Sequence, residues 1–378
     1  MKKVGVVGTH GRIDRCSFLD TEELLRKVGA NTGNLLFQYA VCNLLDEDYV
    51  VVGEDLPWDV KTVQDQCRVL VIPSANFVRE NFDFSGFVDF LDKTELPVVF
   101  LGLGAQAKNY EQTEFNFHES IDRLLDLIKR KSKKVALRGA FTDKVLRERG
   151  VDTGVITGCP TNFINKDPDF VNKLKTKWSQ DAFSFVATGD EPWPKDLTKR
   201  DAERKMIEWV AKGNGLYLQQ SVEPFIKYAR QRNLYQTASV PEHHESSLKN
   251  ALAPFMSDEE FRGFVATRMR LYYNVDQWME DSARVDFSIG LRLHGNMAAW
   301  QSGTPAIWVY HDSRTRELAE TMALPNLSHT DFLGFTSIEE LKNSVKFDAK
   351  RYEEVREELR KNLSVVLESH GIKHKLKS

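Results

Sequence analysis

Apolar residues fall along this chain in two alternating rhythms. Short unbroken runs at 2–9 (KKVGVVGT), 67–73 (CRVLVIP), 96–106 (LPVVFLGLGAQ), 134–140 (KVALRGA) and 151–160 (VDTGVITGCP) read as strands buried on both faces. Between them lie stretches with the spacing of one helical face. Residues 33–45 follow the turn GANTG, 85–94 start at Ser85 as a candidate N-cap, and 141–150 close on Gly150. In 118–134, Ile121, Leu124, Leu125 and Ile128 share one side. The alternation restarts near Phe183. FSFVATG, LYLQQS, FSIGLRLHG and TPAIWVYHD read as strands, and 201–215, 222–233, 261–274 and 313–325 as helices. Residues 239–260 hold Pro241, Pro254 and few strongly apolar positions, and read as a long loop or insertion. Residues 348–371 form a last helix with Val355, Leu359, Leu363 and Val366 on one face and Glu357 four residues before Lys361. The lysine-rich tail KHKLKS reads as frayed.

Buried strands alternating with amphipathic helices predict α/β architecture: two Rossmann-like, doubly wound domains facing a central cleft. The expected boundaries are 1–180, 181–345 and a C-terminal helix, 346–378, able to pack back on the first domain. With 378 residues, 41% hydrophobic and 28% charged, the chain has ample core for this. A net charge of −3 excludes a broad basic face, so nucleic acid is not an expected partner. Cys16, Cys42, Cys67 and Cys159 form no C-x-x-C pair and read as free thiols, most of them buried. The N-terminus is a strand start rather than a signal peptide, and no window reaches the ~20 apolar residues that span a bilayer. A cytoplasmic location is the default expectation.

Glycine turns at the strand ends carry the candidate chemistry. Gly33 and Asn34 open a helix, whose terminus suits a phosphate or carboxylate or is simply a turn. GLGAQ lacks the third glycine of a dinucleotide fingerprint. Its Gln106 is either a sugar or anion contact or a plain turn residue. Arg138 ends a strand beside a glycine, where a guanidinium forks onto an anion or pairs with a neighbouring acid. Arg292 and His294 are two apart at the end of FSIGLRLHG. Read as strand, they project together, with Gly295 and Asn296 starting a helix. Arginine fixes an anion and histidine moves a proton. His311, Asp312 and Arg314 end the neighbouring strand, where Asp312 either lines the cleft or caps the next helix. The HHE at 243–245 has no partner ligands at a convincing spacing and reads as solvated loop.

GANTGNLLFQYA, GLGAQ, LRGAFTDKVLRERGV, GCPTNF and above all GLRLHGNMAAWQSGTPAIWVYHDSRTREL resemble the polysaccharide pyruvyl transferases. The likeness runs in order from about Val4 to Pro325. It departs at Asn34, where the family often has aspartate, and in a long first connection over 11–27. The resemblance implies a GT-B-like fold. It implies transfer of pyruvate from phosphoenolpyruvate to a sugar of a polysaccharide or its lipid-linked precursor, as a ketal, with release of phosphate. Arg292 and His294 would be the catalytic pair and Arg138 a second anion contact. Gly33, Asn34, Gln106, Gly295, Asn296, His311, Asp312 and Arg314 are the further substrate-binding candidates. No cofactor and no metal are expected. Peripheral association with the inner face of the membrane is left open, as are acceptor and oligomeric state. A nucleotide-sugar glycosyltransferase and a non-catalytic anion- or sugar-binding homologue are the competing readings.

Overall fold

The structure is a computed structural model that describes residues 2–107, 112, 114–191, 196–230 and 242–376, the side chains of 242–244 aside. Among these residues, twelve strands make two six-stranded sheets, parallel throughout. The first contains β1 (Lys3–Val7), β2 (Tyr49–Val52), β3 (Cys67–Pro73), β4 (Val98–Leu103), β5 (Val135–Leu137) and β6 (Gly154–Ile156), in the order β2-β1-β3-β4-β5-β6. The second contains β7 (Phe185–Thr188), β8 (Gly215–Leu218), β9 (Met269–Arg270), β10 (Phe287–Gly290), β11 (Ala306–Tyr310) and β12 (Asn326–Ser328), in the order β12-β11-β10-β7-β8-β9.

Chain order reverses between β1 and β3 in the first sheet, and between β7 and β10 in the second. In open α/β sheets, crevices for ligands form beyond the carboxyl ends of the strands at such points. The two sheets thus match the doubly wound class expected from the alternation and the GT-B-like fold implied by the resemblance.

Several elements differ from the sequence expectation. β2, β12 and the helices Val60–Gln66, Val275–Ala283 and Ile338–Ser344 were not anticipated, so CRVLVIP is the third strand rather than the second. Residues 239–260 are not one loop, because Glu242–Leu252 is helical and Asp258–Thr267 follows behind a Ser257/Glu260 capping box. That helix stops at Thr267, and Met269–Arg270 turns outward as an edge strand. Ser85 is not a cap. The helix Ser85–Lys93 begins on it, and its amide donates to Asp83 Oδ1. The tail is not frayed as far as it is described: Lys375 N donates to Leu44 O at 2.8 Å, and His374 and Leu376 are buried.

The two halves share apolar core. One continuous cluster joins Val4 and Val71 of the first sheet, Leu36 of the helix Asn34–Leu44 and Met297 and Trp300 of the helix Leu293–Gln301. It also includes Tyr352, Leu359 and Leu363 of the C-terminal helix Ala349–Ser369. That helix therefore packs back across the chain on its apolar face. Main-chain bonds add to the joint, with Thr32 N donating to Gln220 O at 2.9 Å and Ile13 N to Tyr273 O at 2.8 Å.

Candidate active site

The carboxyl ends of both sheets open on one cleft of about 530 Å³. Arg138 enters it directly after β5. Burial lowers the pKa of its guanidinium, which donates only to neutral acceptors: Gly102 O at 2.9 Å, Asn76 Oδ1 at 2.7 Å and Ser74 O at 3.4 Å. No described carboxylate lies within 4 Å of it. Arg138 therefore makes no direct ion pair with a described acid, although the charges of Glu317 and Asp312 act on it from farther away.

Arg292 lies at the switch point, just beyond β10. Its side chain reaches Asp190, the second residue after β7, and donates to Ser221 Oγ, while its buried Nε has no protein partner. Asp190 is buried and also pairs with Lys199 and, at 3.2 Å, with His311 Nε2. Those cations outweigh its desolvation and hold its carboxyl well below the usual range. Behind it Glu203 is wholly buried and accepts from the Asp190 amide at 3.0 Å and from the Tyr217 hydroxyl. Burial first, then the Asp190 charge, raises the Glu203 pKa to about 7.

His294 is not on a strand. Arg292 is the last extended residue, and the helix runs Leu293–Gln301, two residues earlier than alternation suggested. His294 therefore sits in a first helical turn, facing the first half of the chain. Its ring lies 5.3 Å from that of Phe37, and Nε2 lies 3.6 Å from Cys159 Sγ. Burial, then Arg138 and Arg292, push its pKa down to about 3. The imidazole is neutral at physiological pH.

The other candidates divide. Asn34, His311 and Arg314 line the same cleft. Burial brings the pKa of His311 to about 4. Asp312 caps the helix Ser313–Thr321, accepting from Thr315 N at 3.0 Å, and also pairs with Arg314. Arg314 in turn donates to Gln106 Oε1 at 3.3 Å, which brings that residue to the rim. The turn before Asn34 is occupied by its own bonds: Gly33 N donates to Asn31 Oδ1, Asn34 N to Asn31 O and Leu35 N to Thr32 O. The Asn34 amide group donates to Val28 O. Gly33 is there for space, since a Cβ would strike Gln220 Oε1. Gly295 likewise packs on Thr188, which a Cβ would meet at 2.7 Å. Asn296 is fully buried and committed, donating to Gly290 O and Ile307 O and accepting from Ser288 Oγ. Gly33, Gly295 and Asn296 thus build the site without lining it as ligand contacts. His243 and His244 lie outside the described side chains, whereas Glu245 pairs with Arg262 on a helix rather than in a solvated loop.

Sequence reading missed Asp190, Lys199, Glu203, Gln220, Ser221 and Arg79. Asp190 carried a usable signal, since it follows a glycine at a strand end as Arg292 nearly does. Arg79 carried none, being six residues beyond β3 in irregular chain. Among the described residues, no group of His, Cys, Asp or Glu is arranged to hold a metal ion. No described helix is long and apolar enough to cross a membrane.

A doubly wound pair of sheets with guanidinium and imidazole groups in the cleft beyond their carboxyl ends defines a two-sheet α/β protein. The chain belongs to the polysaccharide pyruvyl transferase family, whose model matches residues 16–313. No curated protein matches it. Among solved structures it is similar to the UDP-GlcNAc 2-epimerase of Methanocaldococcus jannaschii at 11% identity. The TM-score there is 0.45, covering 96% of this chain and 100% of that one. It is also similar to Anabaena HepE in complex with UDP-glucose, at 12% identity and TM-score 0.43, covering 97% of this chain and 100% of that one.

Proposed function

We propose that the protein transfers the pyruvyl group of phosphoenolpyruvate to two hydroxyls of one sugar, forming a ketal and releasing phosphate. The observation that carries the reading is Arg138, a buried guanidinium in no direct ion pair with a described carboxylate, in the same cleft as Arg292 and His294. Phosphoenolpyruvate brings a phosphate and a carboxylate on three carbons. Arg138 and Arg292, with its unpartnered Nε, are the two positive groups for them.

The reaction needs one proton delivered to the enol CH2, which leaves C2 electrophilic. One sugar hydroxyl adds to C2 and loses its proton. The C2–O bond to phosphate then breaks, and the second hydroxyl adds and loses its proton. A neutral His294 is ready to accept a proton from a hydroxyl. Once an anionic donor lies against Arg138 and Arg292, their repulsion of an imidazolium is offset. His294 then takes up a proton and delivers it to C3, regains one from the first hydroxyl as that adds to C2, and the second hydroxyl's proton leaves with the phosphate.

Phosphate release from phosphoenolpyruvate, measured against galactose, mannose, glucose and N-acetylmannosamine derivatives including lipid-linked ones, tests the proposal. Stoichiometric phosphate and a pyruvylated sugar are expected with one of them. Release of UDP from a nucleotide sugar, with no phosphate from phosphoenolpyruvate, overturns it.

A further inference from the structure

The cleft also has an aromatic wall that the chemistry of a three-carbon donor does not use. It comes from the chain between β3 and the helix Ser85–Lys93, directly beyond the switch point of the first sheet. Phe77 and Phe84 lie 4.9 Å apart, Phe82 and Phe84 4.3 Å apart, and all three rings line the cleft. Phe77 and Phe84 rest on the core below, whereas Phe82, outside that core, packs on Phe84 and under Arg79, whose guanidinium stands 4.0 Å above the ring. Arg79 is half-buried, its Nε has no partner, and no described carboxylate lies within 4 Å of it. Gln220, also on the cleft and almost wholly buried, has no partner for its Nε2.

We propose that the wall of Phe77, Phe82 and Phe84, with Arg79 over Phe82 and Gln220 on the same cleft, is the subsite of a pyranose bearing an anionic substituent. This rests on the pyruvyl transfer reading, in which that sugar is the acceptor. One face of a pyranose presents axial C–H groups of the size of a benzene ring, and the negative face of an aromatic ring attracts them. Its hydroxyls project from the edge, where an unpaired amide donor such as Gln220 Nε2 is satisfied by an oxygen. Arg79 is surplus to the two anionic groups of the donor, which already have Arg138 and Arg292. A partly desolvated guanidinium with no counter-ion is itself stabilised by an anion. Phosphate and carboxylate share that chemistry.

Calorimetry on the full chain with glucose 1-phosphate, glucuronate, glucose and phosphoenolpyruvate tests the inference. At least one charged sugar should bind tenfold or more tighter than glucose, and the stronger of the two identifies the substituent. Arg79→Gln should abolish that preference. Phe82→Ala should weaken every sugar several-fold, with little change in melting temperature because Phe82 lies outside the core. Phosphoenolpyruvate affinity should stay within about twofold in both variants. Absence of sugar binding, equal affinity for charged and neutral sugars, or a preference that survives Arg79→Gln overturns the inference. So does a fall in phosphoenolpyruvate affinity parallel to that for sugars, which would assign the wall to the donor. If the sugars behave as expected while phosphoenolpyruvate neither binds nor releases phosphate, the pyruvyl transfer reading fails and the sugar subsite stands.

Discussion

His294 is an imidazole kept neutral by its surroundings, and under the proposed function this has an effect on activity beside one on stability. His294→Gln can still donate a hydrogen bond but cannot titrate, so turnover should fall by about 10²–10⁴-fold with donor binding largely intact. Steady-state kinetics beside calorimetry check this, and a fall of only a few-fold would remove His294 from proton transfer. The stability effect follows from linkage. The folded pKa of about 3 lies below the ordinary histidine value of 6.5, so between those pH values the unfolded chain binds the proton and the folded chain does not. Stability contributed by this group is present above about pH 6.5 and is lost as pH falls toward 3. His311, at about 4, acts in the same direction. Thermal melting at pH 7 and pH 4.5 should show a smaller acid loss in His294→Gln than in the unaltered protein. Legibility at this scale was uneven. Arg292 and His294 were found because two such side chains beside a glycine are hard to assign to packing. The geometric reason offered for them was nevertheless wrong, since a helix start rather than strand alternation aims the imidazole. Asp190 and Arg79 were missed because each acquires its meaning from residues far away in sequence.

At the scale of elements, the site depends on where β7 and β10 lie side by side. Phe287 pairs with Phe185 and Gly290 with Thr188, so Asp190 and Arg292 leave the sheet together. Asp190 also neutralises Lys199 on the following helix. Replacing it by asparagine keeps the shape but leaves buried cations uncompensated, which typically costs about 3–5 kcal/mol. Denaturant unfolding of Asp190→Asn should show that loss, and a change below about 1 kcal/mol would mean the pairs contribute little. Long strands and helices with a strong apolar period were legible. The elements overlooked were those with the least pattern: β9 is two residues, β12 three, and β2 is four residues behind the acidic run Asp46–Glu47–Asp48. Pairing with a neighbouring strand makes such segments, and no local period announces it. The helix Glu242–Leu252 was obscured by polar composition, although Leu248 and Leu252 are wholly buried.

For the whole molecule, the C-terminal segment is tied back to the first half of the chain. Leu376 is buried, and two main-chain bonds join 373–375 to 44–46. Removing residues 373–378 should cost about 2–4 kcal/mol, from one buried leucine and the lost bonds. Calorimetric melting should fall by several degrees, and an unchanged transition would show the tail to be dispensable. The two-sheet organisation was legible because buried strands of a parallel sheet lack polar alternation. The shared core between the halves was not, because an apolar helix face does not name the surface it will meet.

His294 belongs to the second half of the chain, yet its neighbours Phe37, Cys159 and Arg138 all belong to the first. Neither half owns the chemistry. The joint itself includes the buried Glu317, which accepts from both the amide and the hydroxyl of Thr142 across the two halves. A polypeptide holding one sheet alone would therefore lack half of the cleft, and a substitution at the seam can disturb the cleft without touching its lining.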